Sequence, residues 1–225
     1  PTEMEMALAR DFADKGMVEI ILDFQRILGG VRISPRAETA LPGLFAAGES
    51  AGGLHGGDRM QGNAFLETQV FGANAGRSAA ALVRSSSRAE VDPDQVATEV
   101  ARVEGIGGKE SPAALGETVQ QIMWEQVGVV RNGGALRDAL AKFDKLRKET
   151  VPHLSGDDVF SALEAANLLR TAEMVARAAL TREETRASHI RSDYPATDDA
   201  NWLKHIYLSH RGGAIAVSTL PIVTR

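Results

Sequence analysis

The sequence predicts an α/β portion followed by a mainly α-helical bundle and a short tail that contains β-strands. A short apolar run, a glycine-rich loop and a helix of small residues follow one another between residues 44 and 83. The composition then changes at the polar stretch 84–93, and helical periodicity continues from there almost to residue 190. Apolar positions three and four apart indicate helices, and short apolar runs between turn residues indicate strands.

The composition is typical of a globular protein and excludes several functional classes. Hydrophobic residues make up 44% of the 225 residues, and charged residues make up 24%. The net charge of -5 argues against binding to nucleic acid. No apolar run approaches the roughly 20 residues that span a membrane. Cysteine is absent, which excludes disulfides and thiolate metal sites and favours a reducing compartment, the cytoplasm. No metal site is predicted.

The first portion alternates short strands with helices. A helix is predicted at 3–15, and strands are predicted at Met17–Leu22, at Val31–Ser34 and at Leu44–Ala47. A second helix follows the glycine-rich loop at Asn63–Val83. No signal peptide pattern is visible. The chain begins with Pro1 rather than Met, which predicts a fragment or a processed product.

The second portion reads as a bundle of three or four helices joined by short loops. The predicted helices are Asp94–Glu104, 111–130, Ala135–Thr150 and Ser155–Thr181. Ser111 with Pro112 has the pattern of a helix N-cap with proline at the first helical position. Strands are predicted in the tail at Leu203–Leu208 and Ala214–Leu220. We therefore expect a first domain at 1–84, a helical domain at 94–190 and an extension at 191–225.

The glycine-rich loop is the strongest candidate for a ligand site. Glycine lets the backbone approach a bulky ligand, and the following helix directs its N-terminus at it. Arg59 lies among these glycines, and its guanidinium matches a carboxylate in two parallel hydrogen bonds. The alternative for Arg59 is a surface position or an ion pair with Asp58. Six glycines precede the helix: Gly48, Gly52, Gly53, Gly56, Gly57 and Gly62.

Other polar residues have both a structural and a functional interpretation. Glu49 is either a cap or an acceptor for ligand hydroxyls, as acidic residues are in dinucleotide folds. His55 is either a hydrogen-bonded loop residue or part of the site. Arg186, His189 and Arg191 are either a solvated helix end or a second basic cluster. The chain contains no GxGxxG after an early strand, so it lacks the phosphate-binding half of a dinucleotide fold.

Three segments carry a resemblance to a known family: PGLFAAGESAGGLHGGDRMQGNAFLETQVFG, QQIMWEQVGVVRNGGALRDAL, and TREETRASHIRSDYP followed by DDANWLKH. They resemble the C-terminal part of the succinate dehydrogenase/fumarate reductase flavoproteins, which include L-aspartate oxidase. The LHG triplet is closer to the aspartate oxidases, and the tryptophan of the last segment is closer to the succinate dehydrogenases. The resemblance implies that the α/β portion is the end of an FAD-binding Rossmann-like domain.

The resemblance also implies roles for individual residues. Glu49 matches the glutamate that binds the ribose region of FAD, and Arg59 matches the arginine that holds a substrate carboxylate. Asn63, Ala64 and Phe65 form the helix start whose backbone touches the flavin. His189 and Arg191 are assigned to the substrate or to the flavin O2 side.

Two positions depart from the family pattern. Gln25 stands where the family has a substrate-binding histidine, and glutamine can donate a hydrogen bond but carries no charge. Asp58 stands where asparagine is usual, and a negative charge beside Arg59 would weaken an anion site. The loop from Glu49 to Arg59 is also one residue shorter than usual in the family.

The implied function is hydride transfer between FAD and a small carboxylic acid by part of an FAD-dependent oxidoreductase. The alternatives are amino-acid oxidation of the L-aspartate oxidase type and a non-catalytic C-terminal interaction domain. The implied partners are an N-terminal FAD-binding segment, on the same gene product or another chain, and an iron–sulfur electron-transfer subunit. Membrane association would then occur through partner subunits.

Overall fold

A computed structural model describes Lys15 and residues 27–87, 90–211 and 214–222. The helix predicted at 3–15 (except Lys15), the strand predicted at Met17–Leu22 and the site residue Gln25 lie outside the described residues. In the α/β portion, β1 (Val31–Arg32) pairs in parallel with β2 (Ala51–Gly52). The predicted strand at Val31–Ser34 is therefore present but shorter.

The strand predicted at Leu44–Ala47 is not formed as such. Phe45 makes only an isolated antiparallel bridge to Glu38, and the chain then enters a 3-10 turn at Gly48–Ser50. Gly43 and Gly48 have φ angles of 84° and 73°, a left-handed conformation that interrupts an extended strand. The extended residues that pair with β1 come after this turn.

Helix α1 (Asn63–Ser85) follows the glycine-rich loop. Its N-cap Gly62 has a φ of 87°, and the helix N-terminus receives no side-chain cap. Two side chains tie α1 to the preceding turn: Asn74 donates to the Pro35 carbonyl at 3.1 Å, and Ser78 donates to the Arg36 carbonyl at 2.9 Å. None of its residues is buried by the described part of the chain.

The helical domain contains α2 (Pro93–Glu104), α3 (Pro112–Ile122), α4 (Gly133–Glu149) and α5 (Val159–Thr181). Each begins at a polar N-cap whose side chain accepts hydrogen bonds from the first turn, as capping rules require. The caps are Asp92, Ser111, Asn132 and Asp158. The predicted helices are thus all present, with α5 starting four residues later than expected from Ser155.

The core lies where α3, α4 and α5 meet. Leu115 and Val119 of α3 pack with Leu136 and Phe143 of α4, and all four are almost fully buried. Helix α5 contributes mostly alanines: Ala162, Ala165, Ala172, Ala176 and Ala179, with Leu169. Longer apolar side chains of α5, such as Leu163 and Met174, are only partly buried, because the alanines allow α5 to approach its neighbours closely.

A five-residue π-helical turn, Met123–Val127, continues α3. Val127 is buried by it, whereas Trp124 is 47% exposed. The wider π turn changes the angular register after Ile122.

The tail returns to both parts of the chain. Strand β4 (Ile190–Arg191) pairs in parallel with β3 (Val130–Arg131), which follows the π turn. After the single-turn helix α6 (Asp199–Trp202), β5 (Lys204–Arg211) and β6 (Ala214–Pro221) form an antiparallel hairpin. The prediction of an α/β portion, a helical bundle and a β-containing tail is confirmed. None of the helices in the described residues combines the length and the apolar composition that a membrane span requires.

Candidate functional site

The glycine-rich loop runs from β2 to α1 and turns through three left-handed residues. Gly53, Gly56 and Gly62 have φ angles of 94°, 65° and 87°. No heavy atom of the described residues lies within 4 Å of the position that a Cβ would take at any of the three. Their conformation explains why glycine is required there, and the space around them leaves the loop open to a ligand.

Arg59 is half-buried in this loop and carries an unsatisfied donor. Its Nε is buried and has no hydrogen-bond partner among the described residues. Asp58 does not neutralise the guanidinium; its Oδ1 instead accepts a hydrogen bond from the Arg59 backbone N–H at 2.7 Å. A buried donor without an acceptor costs about 1–3 kcal/mol, more when it is charged. Arg59 is therefore prepared for an acceptor that the described residues do not supply.

A pocket of about 100 Å³ lies between the start of α1 and the segment that precedes β1. This is less than the roughly 300–1,000 Å³ of a pocket that encloses a whole ligand. A pocket of this volume does not by itself enclose a whole drug-sized ligand. The lining residues are Ile27, Leu28, Glu49, Ala51, His55, Ala64, Glu67 and Thr68.

Glu49 joins the two chain segments that border this pocket. It belongs to the 3-10 turn before β2, and its Oε1 accepts a hydrogen bond from the Ile27 backbone N–H at 3.0 Å. The side chain is exposed at the edge of the pocket. This position suits an acceptor for donor groups of a ligand.

His55 and Glu67 form a nearly buried pair at the same pocket. His55 Nε2 lies 2.6 Å from Glu67 Oε2, and the side chains are 15% and 9% exposed. Because an ionised carboxylate can only accept, His55 Nε2 carries the hydrogen and donates it. The sequence left the role of His55 open and did not single out Glu67. The only signal for Glu67 was its spacing, because positions three apart, such as Ala64 and Glu67, share a helix face.

Arg191 lies elsewhere and is fully engaged inside the protein. It is 2% exposed, and its Nη1 donates to three carbonyls at the C-terminal end of α5, those of Ala179, Leu180 and Arg182. Its Nε and Nη2 bind the Asp193 carboxylate at 2.8 and 2.9 Å. This ion pair holds the pKa of Asp193 far below its usual range. Arg191 does not line the pocket.

His189 lies next to Arg191 and is also held by internal contacts. Its Nδ1 is 3.2 Å from Arg131 Nη1, and its Nε2 is 3.2 Å from the Arg182 carbonyl. Since an arginine only donates and a carbonyl only accepts, this arrangement requires neutral imidazole with its hydrogen on Nε2. Burial, together with the nearby arginine charges, lowers the pKa of His189 to about 4.

Glu184 organises the turn that leads to His189, a role that the sequence did not reveal. It is fully buried and accepts hydrogen bonds from Arg182, from Arg186 and from the Asp198 backbone N–H. Burial acts to raise the pKa of Glu184, but these hydrogen bonds outweigh it and the pKa is lowered. Arg186, which also binds Asp199 at 2.6 Å, is therefore committed to the protein rather than to a ligand.

The same turn contacts the glycine-rich loop. The Ser188 hydroxyl donates to the Gly57 carbonyl at 2.9 Å. A Cβ at Gly57 would lie 3.3 Å from the Ala187 Cβ. The structure thus brings residues 186–191, which include the predicted basic cluster, to the glycine-rich loop. The hydrogen bonds are made by the backbone and the hydroxyl of Ser188, not by the basic side chains.

Comparison with known proteins accounts for both parts of this arrangement. Residues 20–65 match a family model described as FAD binding domain, and residues 116–225 match one described as fumarate reductase flavoprotein C-term. The chain belongs to the succinate dehydrogenase/fumarate reductase flavoprotein family. The predicted resemblance is confirmed, and the FAD-binding match includes the whole glycine-rich loop and the first residues of α1.

Individual members of this flavoprotein family align over most of the chain. It is 39% identical over 202 residues to a subunit of the fumarate reductase (CoM/CoB) of Methanothermobacter marburgensis, an alignment that covers 86% of this chain and 37% of the relative. It is 32% identical over 169 residues to an L-aspartate oxidase of Yersinia pestis, with 74% of this chain and 31% of the relative covered. The chain thus spans well under half the length of these relatives.

A solved structure shows the same architecture. A chain of the Mycobacterium smegmatis Sdh1 complex in the apo form superposes with a TM-score of 0.78 at 31% identity, covering 98% of this chain and 42% of that one. The α/β portion of this flavoprotein chain is therefore the end of an FAD-binding domain. The roles of Glu49, Arg59, Asn63, Ala64, Phe65, His189 and Arg191 stay predictions.

Proposed function

We propose that this chain forms one wall of the active site of an FAD-dependent oxidoreductase of the fumarate reductase/succinate dehydrogenase type. The complete enzyme would transfer a hydride between flavin and a carbon next to a substrate carboxylate. The observation that carries the proposal is the buried Nε of Arg59 on the glycine-rich loop, which has no hydrogen-bond partner in the part of the chain that the structure describes. The match of residues 20–65 to an FAD-binding domain supports it.

Arg59 would bind the substrate carboxylate. Its guanidinium can form two parallel hydrogen bonds to the carboxylate, which fix both the position and the orientation of the substrate. Asp58 Oδ1 accepts a hydrogen bond from the Arg59 backbone N–H, so part of its accepting capacity is used by the backbone. The charge that the sequence placed beside Arg59 is therefore compatible with an anion site.

The start of α1 fits the flavin. The first turn of a helix has backbone N–H groups without intrahelical partners, and here no side chain caps them. The Asn63 N–H already donates to the Met60 carbonyl at 3.2 Å. The N–H groups of Ala64 and Phe65, together with the positive end of the helix dipole, would stabilise negative charge on the reduced ring. FAD, when bound, supplies the hydride chemistry, and Glu49 would hold its ribose region.

The role of Arg59 is tested with Arg59→Ala in the full-length gene product. Loss of the carboxylate contact should lower kcat/KM at least about tenfold, or roughly 1.4 kcal/mol. Arg102→Ala, which removes an exposed arginine on α2, is the matched control and should have no effect on steady-state kinetics. Wild-type kinetics for Arg59→Ala would refute the substrate role.

A second candidate is amino-acid oxidation of the L-aspartate oxidase type. The similarity to the Yersinia pestis enzyme and the LHG triplet favour it. Turnover of aspartate with no turnover of succinate or fumarate by the full-length protein would select this alternative. The absence of a flavin absorption band near about 450 nm would instead indicate a non-catalytic domain.

Partner subunits follow from the same proposal. The structural relative is part of the Sdh1 complex. We expect an iron–sulfur subunit to exchange electrons with the flavin, and any membrane association to occur through partners of this kind. Purification of the tagged full-length protein from its own host, followed by iron analysis of the co-purifying chains, tests this expectation.

A further inference from the structure

Glu67 presents a free acceptor at the pocket described above. The Glu67 side chain is only 9% exposed, and its Oε1 is buried. This oxygen nevertheless has no hydrogen-bond partner among the described residues. Buried carboxylate oxygens are nearly always paired in folded proteins. The residue lines the pocket together with Glu49 and Ala64. The missing partner is therefore expected to be a ligand atom in that pocket.

His55 determines which oxygen is free. By donating from Nε2 to Oε2 at 2.6 Å, it occupies one side of the carboxylate and holds the group in one orientation. His55 belongs to the glycine-rich loop, whereas Glu67 lies one turn into α1. The pair therefore fixes Oε1 relative to both the loop and the helix start.

The charges at the pocket decide which ligand group can bind there. Glu49 and Glu67 both line it, and ionised carboxylates accept hydrogen bonds but cannot donate them. A phosphate would be repelled by two negative charges, whereas a hydroxyl would donate to them. The chemistry selects an uncharged, hydroxyl-bearing part of a ligand.

We propose that Glu67 Oε1 accepts a hydrogen bond from a hydroxyl of the ribityl chain of FAD, with His55 as the positioning residue. This inference rests on the proposed function and deepens it. The ribityl chain joins the flavin ring to the rest of FAD. Since the helix start at Ala64 is assigned to the ring and Glu49 to the ribose region, the ribityl hydroxyls are the donors expected beside Glu67, which lines the pocket with both residues. Glu67 is thus a cofactor-binding residue in addition to those predicted from the sequence.

The test measures FAD binding to the deflavinated full-length protein by quenching of flavin fluorescence. Glu67→Gln keeps the size of the side chain, and its carbonyl can still accept from His55, but an amide then faces the ligand. FAD affinity should fall about tenfold or more, as expected for loss of a charge-assisted hydrogen bond. Glu117→Gln, the same change at an exposed helical site, is the control and should bind FAD like the wild type.

FAD analogues that each lack one ribityl hydroxyl make the test specific. The wild type should bind one of them about tenfold more weakly than FAD, and Glu67→Gln should bind that analogue and FAD almost equally. An unchanged FAD affinity in Glu67→Gln overturns the inference. The inference is also overturned if Glu67→Gln loses the same affinity for FAD as for every analogue. A change that is confined to the KM of the substrate overturns it as well.

The analogue series with the wild type alone keeps the inference testable if Glu67→Gln does not fold. Equal affinity of the wild type for FAD and all analogues would overturn it. A wild-type protein that binds no FAD would instead refute the proposed function, so the two failures are distinguishable.

Discussion

At the scale of single residues, His189 is held neutral by its surroundings. Arg131 donates to one ring nitrogen, and the Arg182 carbonyl accepts from the other. Protonation of His189 at Nδ1 would place a second positive charge next to Arg131, and Nδ1 could then no longer accept the hydrogen bond from Arg131. Burial lowers the pKa of His189 to about 4, because the charged ring would lose its hydration, and the charges of the nearby arginines add to this shift.

This pKa predicts acid sensitivity. The unfolded chain takes up the proton near the ordinary pKa of 6.5, but the folded chain does so only near 4, so stability falls as the pH falls through this window. Between pH 7 and pH 5 the expected loss is about 2 kcal/mol. Denaturant unfolding at pH 7 and pH 5 measures this loss in the free energy of unfolding. The loss should be smaller by about 2 kcal/mol in His189→Gln than in the wild type, because glutamine can accept and donate without ionising. Equal losses in both proteins would contradict the assignment.

At the scale of elements, the pairing of β1 with β2 depends on two glycines. A Cβ at Gly52 would lie 2.5 Å from the Gly30 backbone nitrogen, and a Cβ at Gly30 would lie 2.5 Å from the Ser50 carbonyl oxygen. Both distances are to backbone atoms, which cannot move aside without separating the strands. The glycines therefore set the spacing between the segment that precedes β1 and the turn that carries Glu49.

Gly52→Ala should consequently be destabilising. Steric overpacking of this kind costs about 1–3 kcal/mol, and the displaced strands should also weaken FAD binding in the full-length protein. Gly107→Ala places the same methyl group where no atom lies within 4 Å, so it should leave both properties unchanged. Thermal unfolding and FAD titration of the two variants provide the comparison. Similar behaviour of both would show that the strands can move apart freely.

At the scale of the whole molecule, the tail joins the helical domain to the glycine-rich loop. The Ser188 hydroxyl donates to the Gly57 carbonyl, and the Tyr207 ring in β5 lies 4.7 Å from the Arg32 guanidinium in β1. Arg182, at the end of α5, in turn donates to the Trp202 and Lys204 carbonyls at the start of the hairpin. The helical domain therefore supports the loop through the tail.

Loss of the Ser188 contact should loosen the loop. One neutral hydrogen bond contributes about 1 kcal/mol, so Ser188→Ala should raise the population of open loop about fivefold. The rate of trypsin cleavage after Arg59, measured without substrate, should rise by a similar factor, since proteolysis follows the open state. Ser188→Thr keeps the hydroxyl and should be cleaved like the wild type. Wild-type cleavage of Ser188→Ala would show that the bond does not restrain the loop.

Local rules predicted most elements but not the residues that fill the site. The caps Ser111 and Asn132 and the turn glycines act within a few residues of their own position, so they can be read from the sequence. The pairing of Val31 with Ala51 and the π turn that exposes Trp124 depend on packing. The strand expected at Leu44–Ala47 is reduced to a single bridge at Phe45, because Gly43 and Gly48 take left-handed conformations at its two ends.

The order of the elements, the family and the candidate loop with Glu49 and Arg59 can all be read from the amino-acid sequence, because periodicity, caps and motifs are local. How the polar side chains are used depends on the three-dimensional packing. It engages the basic group of Arg191 at the end of α5 and leaves Arg59 Nε and Glu67 Oε1 buried and free among the described residues. The physical reason is that a side chain is available to a ligand only when long-range packing has left it without another partner.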